Sequence, residues 1–305
     1  SAAAGARPGG ACYSQGMNAS SHRLDLTTLL LLTLAPLLWA GNAIVGRIAA
    51  GWIPPMTFNL LRWSIALLVP LPLGGWVLRR SSPLWREWKY YALLGLLAIA
   101  GYNTLQYLAL HTSSPLNVTL VASSMPVWML LVGRIGFGAA VTVKALLGAA
   151  LSLSGVAVVL SQGEFARLLQ LRFVPGDGWI LLAAFAWACY SWLLTRRQGA
   201  AEIRQDWAAL LLAQIAFGPV SSAALTAGEW LLPAQAPQIL WSWKLAAVLL
   251  FVALGPALIA YRCWGAGVGR AGPTLASFFS NLTPLFAALM SAALLGEPPR
   301  PYHVL

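Results

Sequence analysis

The sequence predicts an all-α polytopic membrane protein made of two inverted five-helix repeats, with its N-terminus cytoplasmic. Three observations lead there. Mean hydropathy is +0.73, with 59% of residues hydrophobic and 9% charged. A soluble domain of 305 residues would need a polar surface that this composition cannot supply. The apolar residues also fall into runs of about the 20 residues that cross hydrocarbon as a helix, with short charged loops between them. Finally, two pairs of segments match across the halves of the chain in the same order.

Taken in order, spans are predicted at residues 26–46, 56–76, 89–110, 115–135, 142–161, 177–195, 207–227, 243–264 and 273–294. Several contain Gly, Pro or Ser, which lipid-embedded helices tolerate when neighbours re-satisfy the backbone. Long continuous runs, and not ten-residue alternating ones, argue against a β-barrel. Residues 1–25 read as a flexible cytoplasmic tail or a cloning remnant, with Met17 as a candidate start. The first span is expected to remain as an anchor, because its run is long and eight others follow.

Orientation rests on where Lys and Arg sit. With the N-terminus inside, the cytoplasmic set is Arg7, Arg23, Arg79, Arg80, Arg86, Lys89, Arg134, Lys144, Arg196, Arg197, Arg204, Arg262 and Arg270, thirteen of nineteen. The outer set is Arg47, Arg167, Arg172, Lys244 and Arg300, and Arg62 lies within a span. The net charge of +11 is thus an inner-face bias and calls for no nucleic-acid partner. Trp85, Trp88, Trp230, Trp241 and Trp243 sit at span ends, where indoles form interfacial belts. Cys12, Cys189 and Cys263 fit neither a metal nor a disulfide spacing.

The internal match defines the repeat. SPLNVTLVASSMPVWMLLVG (114–133) echoes GPTLASFFSNLTPLFAALMS (272–291) at an offset of 158, setting Pro126 on Pro284, Ser123 on Asn281 and Val127 on Leu285. Earlier in each half, Leu38-Trp39-Ala40 matches Ala186-Trp187-Ala188 at an offset of 148, with Asn42 against Tyr190. The halves are then 26–161 and 162–305. Five spans per unit force opposite topologies, an architecture common in secondary transporters, which bind substrate near the midplane between repeats. The second half shows four spans, so the repeat predicts a tenth helix beyond Leu305.

Candidate binding residues follow from polarity at depth. Arg62 is the basic residue well inside a span, a costly placement that points to a water path, the bundle interior or a partner. Its plainer role is to pair with helix-end carbonyls or to snorkel along its stem. Trp39 and Trp187 occupy matching positions, and Asn42, Tyr102, Asn103, Gln106, Trp128 and Tyr190 add aromatic and amide groups nearby. Packing accounts for many of these aromatics, since the chain has 15 Trp. Ser123, Ser124, Ser277, Ser280 and Asn281 flank Pro126 and Pro284, where a proline frees a carbonyl that a hydroxyl can take. These two prolines are the candidate hinge or packing points.

Catalysis finds little support. The eight acidic residues lie near loops or span ends, and His22, His111 and His303 are scattered without metal-ligand spacing. Neither a Walker motif nor a dinucleotide fingerprint occurs. The expectation is therefore no enzyme, no cofactor and no metal. Partners are a small-molecule substrate and the lipid bilayer, and two halves in one chain suffice to build a pathway as a monomer.

The motifs LLWAGN (37–42), FNLLRW (58–63), SPLNVTLVASSMPVW (114–128) and SFFSNLTPLFAALMSAALLGEP (277–298) resemble the drug/metabolite transporter superfamily, specifically its EamA-type ten-helix branch. The similarity covers roughly residues 26–305. It implies a secondary transporter of a bacterial inner membrane that exports small amphipathic metabolites, aromatic or hydrophobic amino acids foremost, with Arg62 lining the pathway. Multidrug and nucleotide-sugar carriers of the same superfamily are the alternative, and a membrane-embedded enzyme or scaffold fits less well. One departure stands out: Glu297 falls opposite Ala139, so there is no symmetric carboxylate pair, and proton coupling would fall to Glu297 or His111.

Overall fold

The computed structural model describes residues 24–49, 51–113, 118, 121–161, 166, 174–196, 198–231 and 238–295. Among them, the regular elements are all helical. In chain order α1 is Leu26–Ala49, α2 is Pro55–Leu68, and α3 runs from Trp88–Gly95 through a π turn at Leu96–Gly101 into Tyr102–Thr112. Next come α4 (Met125–Phe137), α5 (Val143–Leu160) and α6 (Pro175–Thr195). α7 is Trp207–Leu231, α8 is Trp243–Ala271 with a π turn at Ala253–Ile259, and α9 is in two pieces, Pro273–Ser280 and Leu282–Leu295.

Each predicted span overlaps one of these helices, 115–135 only over 125–135, with residues 114–117 and 119–120 outside the described residues. Leu26–Gly46, Pro175–Thr195, Trp207–Leu231 and Trp243–Ala271 are each long and apolar enough to cross a membrane. Pro55–Leu68 with Leu71–Leu78 makes a fifth such span when its 46° bend is included. That bend falls at Val69–Pro70, where a proline cannot continue the backbone ladder. α3 is long but carries Lys89, Asn103 and Gln106, which lower its hydropathy; Asn103 and Gln106 line an interior cavity, and Lys89 is exposed. Trp85, Trp88, Trp230, Trp241 and Trp243 are all exposed, as expected of belt residues.

Proline sets the breaks in α4 and α9. The chain turns at Ser123–Ser124 before Pro126 and at Asn281 before Pro284, in each case within the turn whose carbonyl the ring would strike. The Ser124 hydroxyl donates to the Val121 carbonyl at 2.6 Å, and Ser280 donates to Ser277 at 2.6 Å. At both matched positions a serine hydroxyl thus bonds back to the carbonyl three residues earlier, next to the break.

Packing repeats the same logic. α1 lies against α8 and α9, α6 against α3 and α4, and α2 against α7. Small residues permit the close crossings, as they do where lipid offers no competing hydrophobic drive. A β-carbon on Gly95 would overlap the Gln214 carbonyl oxygen of α7, and one on Gly176 would overlap the Ala109 carbonyl of α3. Because the obstacle at Gly95 is backbone, Gly95→Ala is expected to destabilise the protein by about 1–3 kcal/mol. Thermal unfolding in detergent reads this, and a melting temperature equal to wild type would mean that α3 and α7 separate freely.

Polar clasps hold the helix ends. Asp206 caps α7 through the Ala208 and Ala209 N–H groups at 2.9 and 3.2 Å and accepts the Trp76 indole N–H at 2.9 Å. The indole bond leads in holding the Asp206 carboxyl below its usual range, with the cap bonds adding to it. At the start of α1, Asp25 accepts from Thr28 and pairs with Arg270 at 2.7 Å. Those Thr28 bonds, and then Arg270, lower the Asp25 carboxyl to about 2. Asp177, buried at the start of α6, accepts from the Ser113 hydroxyl and from the Val174 N–H at 2.9 Å.

Candidate functional site

A cavity of about 240 Å³ opens between the helices of the two halves. Its floor is aromatic. Trp39 of α1 and Trp187 of α6 meet edge to face, with ring centroids 5.3 Å apart and planes at 85°. Tyr102 of α3 lies 5.3 Å from Trp187, and Tyr261 of α8 lies 5.5 Å from it. Such geometry sets the positive edge of one ring against the negative face of another.

The two π turns anchor this floor. A π turn shifts the helical register and leaves a carbonyl open to an outside donor. The Tyr261 hydroxyl donates to the Ala98 carbonyl inside the π turn of α3 at 2.8 Å. Trp39 donates its indole N–H to the Pro256 carbonyl inside the π turn of α8 at 3.3 Å. Each half therefore orients an aromatic side chain on an irregular turn of the other.

The walls are polar. Arg62 of α2 is 4% exposed, with its guanidinium 5.0 Å over the Trp63 ring. Asn42, Asn103 and Gln106 line the same space. Asn103 spends one amide hydrogen on the Ile99 carbonyl at 2.9 Å. The Asn42 amide oxygen is buried and accepts no hydrogen bond among the described residues. On the far wall, Asn281 donates to the Ser152 hydroxyl at 2.6 Å and to the Ser123 carbonyl at 3.4 Å. Residues 123 and 281 are the pair matched by the 158-residue offset, so matched positions touch here as Trp39 and Trp187 do below.

Of the residues singled out in the sequence, Trp39, Asn42, Arg62, Tyr102, Asn103, Gln106, Ser123, Trp187, Ser280, Asn281 and Pro284 line this cavity. Four others lie elsewhere. Trp128 points away and packs on Phe185 with centroids 5.5 Å apart. Tyr190 sits behind Trp187, donates to the Gln214 amide oxygen at 2.9 Å, and lines a second cavity instead. Ser277 is fully buried and donates to the Thr274 carbonyl at 2.6 Å. Pro126 is buried at the start of α4. Glu297 and the His111 side chain fall outside the described residues.

Tyr261 is the aromatic residue of the cavity that the sequence reading missed. Its signal was present: it lies 159 residues after Tyr102, within one of the repeat offset. Chemically, the site offers π faces for a flat apolar group, a guanidinium for an anionic end, and an open amide acceptor for a donor.

The same architecture exists in known proteins. The model of the EamA-like transporter family matches residues 26–161 and 174–305. An uncharacterized transporter of Archaeoglobus fulgidus is 26% identical, over 93% of this chain and 92% of its own. The aromatic amino acid exporter YddG of Ancylobacter novellus is 25% identical over 84% of each. A probable amino-acid metabolite efflux pump of Salmonella typhimurium is 25% identical over 88% of this chain and 86% of its own. A solved crystal structure superposes with a TM-score of 0.70 at 21% identity, covering 91% of both chains, a likeness of fold. With both halves of the chain matched, this multi-pass membrane protein belongs to the EamA-like transporter family.

Proposed function

We propose that this transporter exports small amphipathic metabolites, aromatic or hydrophobic amino acids foremost, by alternating access between residues 26–161 and 162–305. The observation that carries this reading is the single cavity that combines paired indoles, a guanidinium and an unsatisfied amide oxygen. An aromatic side chain stacks on the Trp39–Trp187 floor, the carboxylate meets Arg62, and the ammonium donates to Asn42 and faces the rings. A flat zwitterion satisfies all three at once. Two relatives whose names refer to amino-acid export support the same class.

With the N-terminus inside, the cavity lies in the outer halves of α1, α3 and α9, and the aromatic floor closes the way inward. Rocking of the two halves would part the floor and expose the site to the cytoplasm. One chain in a bacterial inner membrane is sufficient for this cycle, and no proton relay is needed for exchange or facilitated efflux.

Uptake of radiolabelled phenylalanine, tryptophan and threonine into proteoliposomes tests the reading. Saturable, protein-dependent flux of the two aromatic amino acids, with or without a proton gradient, is expected. Flux of none of them from folded protein would move the assignment to drug-like or other metabolite substrates.

A further inference from the structure

A second cavity of about 300 Å³ lies on the other side of the aromatic floor, with Tyr261 lining both. Its walls carry three guanidinium groups, Arg196, Arg204 and Arg262, together with Trp207 and Gln214. Arg262 lies 5.9 Å from the Trp207 ring, and Arg196 lies 4.5 Å over Phe137 and donates to the Gly136 carbonyl at 3.3 Å. The Arg204 Nε is buried and has no hydrogen-bond partner among the described residues. None of the three is ion-paired with a carboxylate among those residues. Of the acids on adjoining elements, Glu87 accepts the Ala200 N–H at 2.6 Å, Asp206 holds Trp76 and the cap of α7, and Glu202 is exposed.

Arg204 is partly buried and Arg196 and Arg262 are exposed at the rim, and three cations converging on one partly apolar space without a paired carboxylate repel one another. The general inner-face bias of basic residues explains their side of the membrane but not their convergence on a cavity. Tyr190 takes up the Gln214 amide oxygen, which leaves the Gln214 NH₂ as a further donor on the same wall. N–H donors and positive charge without a carboxylate in the lining describe a receptor for an anion.

We infer that this second cavity binds the carboxylate of a small organic anion, a separate station for the substrate at the basic end of the molecule. Arg204 and Arg262 supply the charge, Gln214 a neutral donor, and Trp207 and Tyr261 the apolar walls. The inference rests on the amino-acid reading above and adds to it that the carboxylate is recognised before the aromatic floor is crossed.

Equilibrium binding of phenylpyruvate, which has the carboxylate without the amine, to the full chain in phosphatidylcholine nanodiscs tests it. Wild type is expected to bind, and R204Q/R262Q to bind at least about tenfold more weakly, as charge-assisted hydrogen bonds require. R204K/R262K, which keeps the charge, should recover most of the affinity, and Trp241→Ala, exposed at a span end, should leave it unchanged. Phenylalaninamide, lacking the carboxylate, should not compete. No binding to wild type, or equal binding by R204Q/R262Q, overturns the site, and saturable phenylalanine flux in that case leaves the export reading standing. If added phosphatidylglycerol displaces phenylpyruvate and copurifies with wild type but not with R204Q/R262Q, the cluster is a lipid-headgroup site and the proposal fails.

Discussion

Replacing Trp187 with alanine is expected to abolish saturable transport and to cost the fold about 3–5 kcal/mol. Trp187 is 4% exposed and touches the rings of Trp39, Tyr102, Tyr190, Tyr261 and Trp264 at centroid distances of 5.1–5.8 Å. Each such pair adds roughly 0.5–1.5 kcal/mol beyond burial, and truncation removes all of them together. It also takes out part of the partition between the two cavities, so any residual flux should be unsaturable leak. Trp187→Phe keeps a ring in the gap and should retain the fold and part of the saturable flux. Alanine at Trp241, which is 67% exposed, should change neither quantity. Saturable flux by Trp187→Ala at the wild-type rate would remove the aromatic floor from the mechanism.

The second large effect lies at the start of α2. Its first residues, Pro54 and Pro55, offer no side-chain cap. The cap comes from Glu229 of α7, whose carboxylate accepts the Met56 and Thr57 N–H groups, each at 2.8 Å, and the Thr57 hydroxyl at 2.7 Å. Trp230 beside it donates to the same Thr57 hydroxyl at 2.8 Å. A charged acceptor at a helix N-terminus combines strong hydrogen bonds with a favourable dipole. Glu229→Gln removes the charge and turns an NH₂ toward a backbone donor, so a loss of roughly 2–4 kcal/mol is expected. Thermal unfolding of the purified protein measures it. A loss below roughly half a kcal/mol would show that water serves α2 as well as Glu229 does.

This clasp illustrates where the sequence was silent. Glu229 reads as one more acid at a span end, and its partner lies 172 residues away in the chain. Asp206 and Trp76 make the corresponding contact at the other end of the same helix pair, 130 residues apart. No periodicity relates such residues. The helices themselves were legible, because apolar run length is a local property: the run at 177–195 becomes Pro175–Thr195, and the run at 243–264 extends to Ala271. Pro126 and Pro284 were legible as break points for the same reason, since a proline acts on its own preceding turn.

The site was legible in part. Trp39 and Trp187 stood out because the repeat pairs them, and positions related by a pseudo-twofold near its axis meet each other. Arg62 stood out because charge at depth is expensive. Trp128 and Tyr190 had the right chemistry and depth but face away from the cavity, because a helix rotated by one or two residues presents a different side. That rotation is set by close crossings such as Gly95 on Gln214 and Gly176 on Ala109, between residues far apart in sequence.

Composition and local pattern were therefore enough to establish a helical membrane protein, its repeated halves and its family, since lipid solvation acts on every segment independently. The cavity, its π-turn anchors, the helix clasps and the basic pocket came from helix against helix. Each depends on which faces meet, and that is settled by long-range packing.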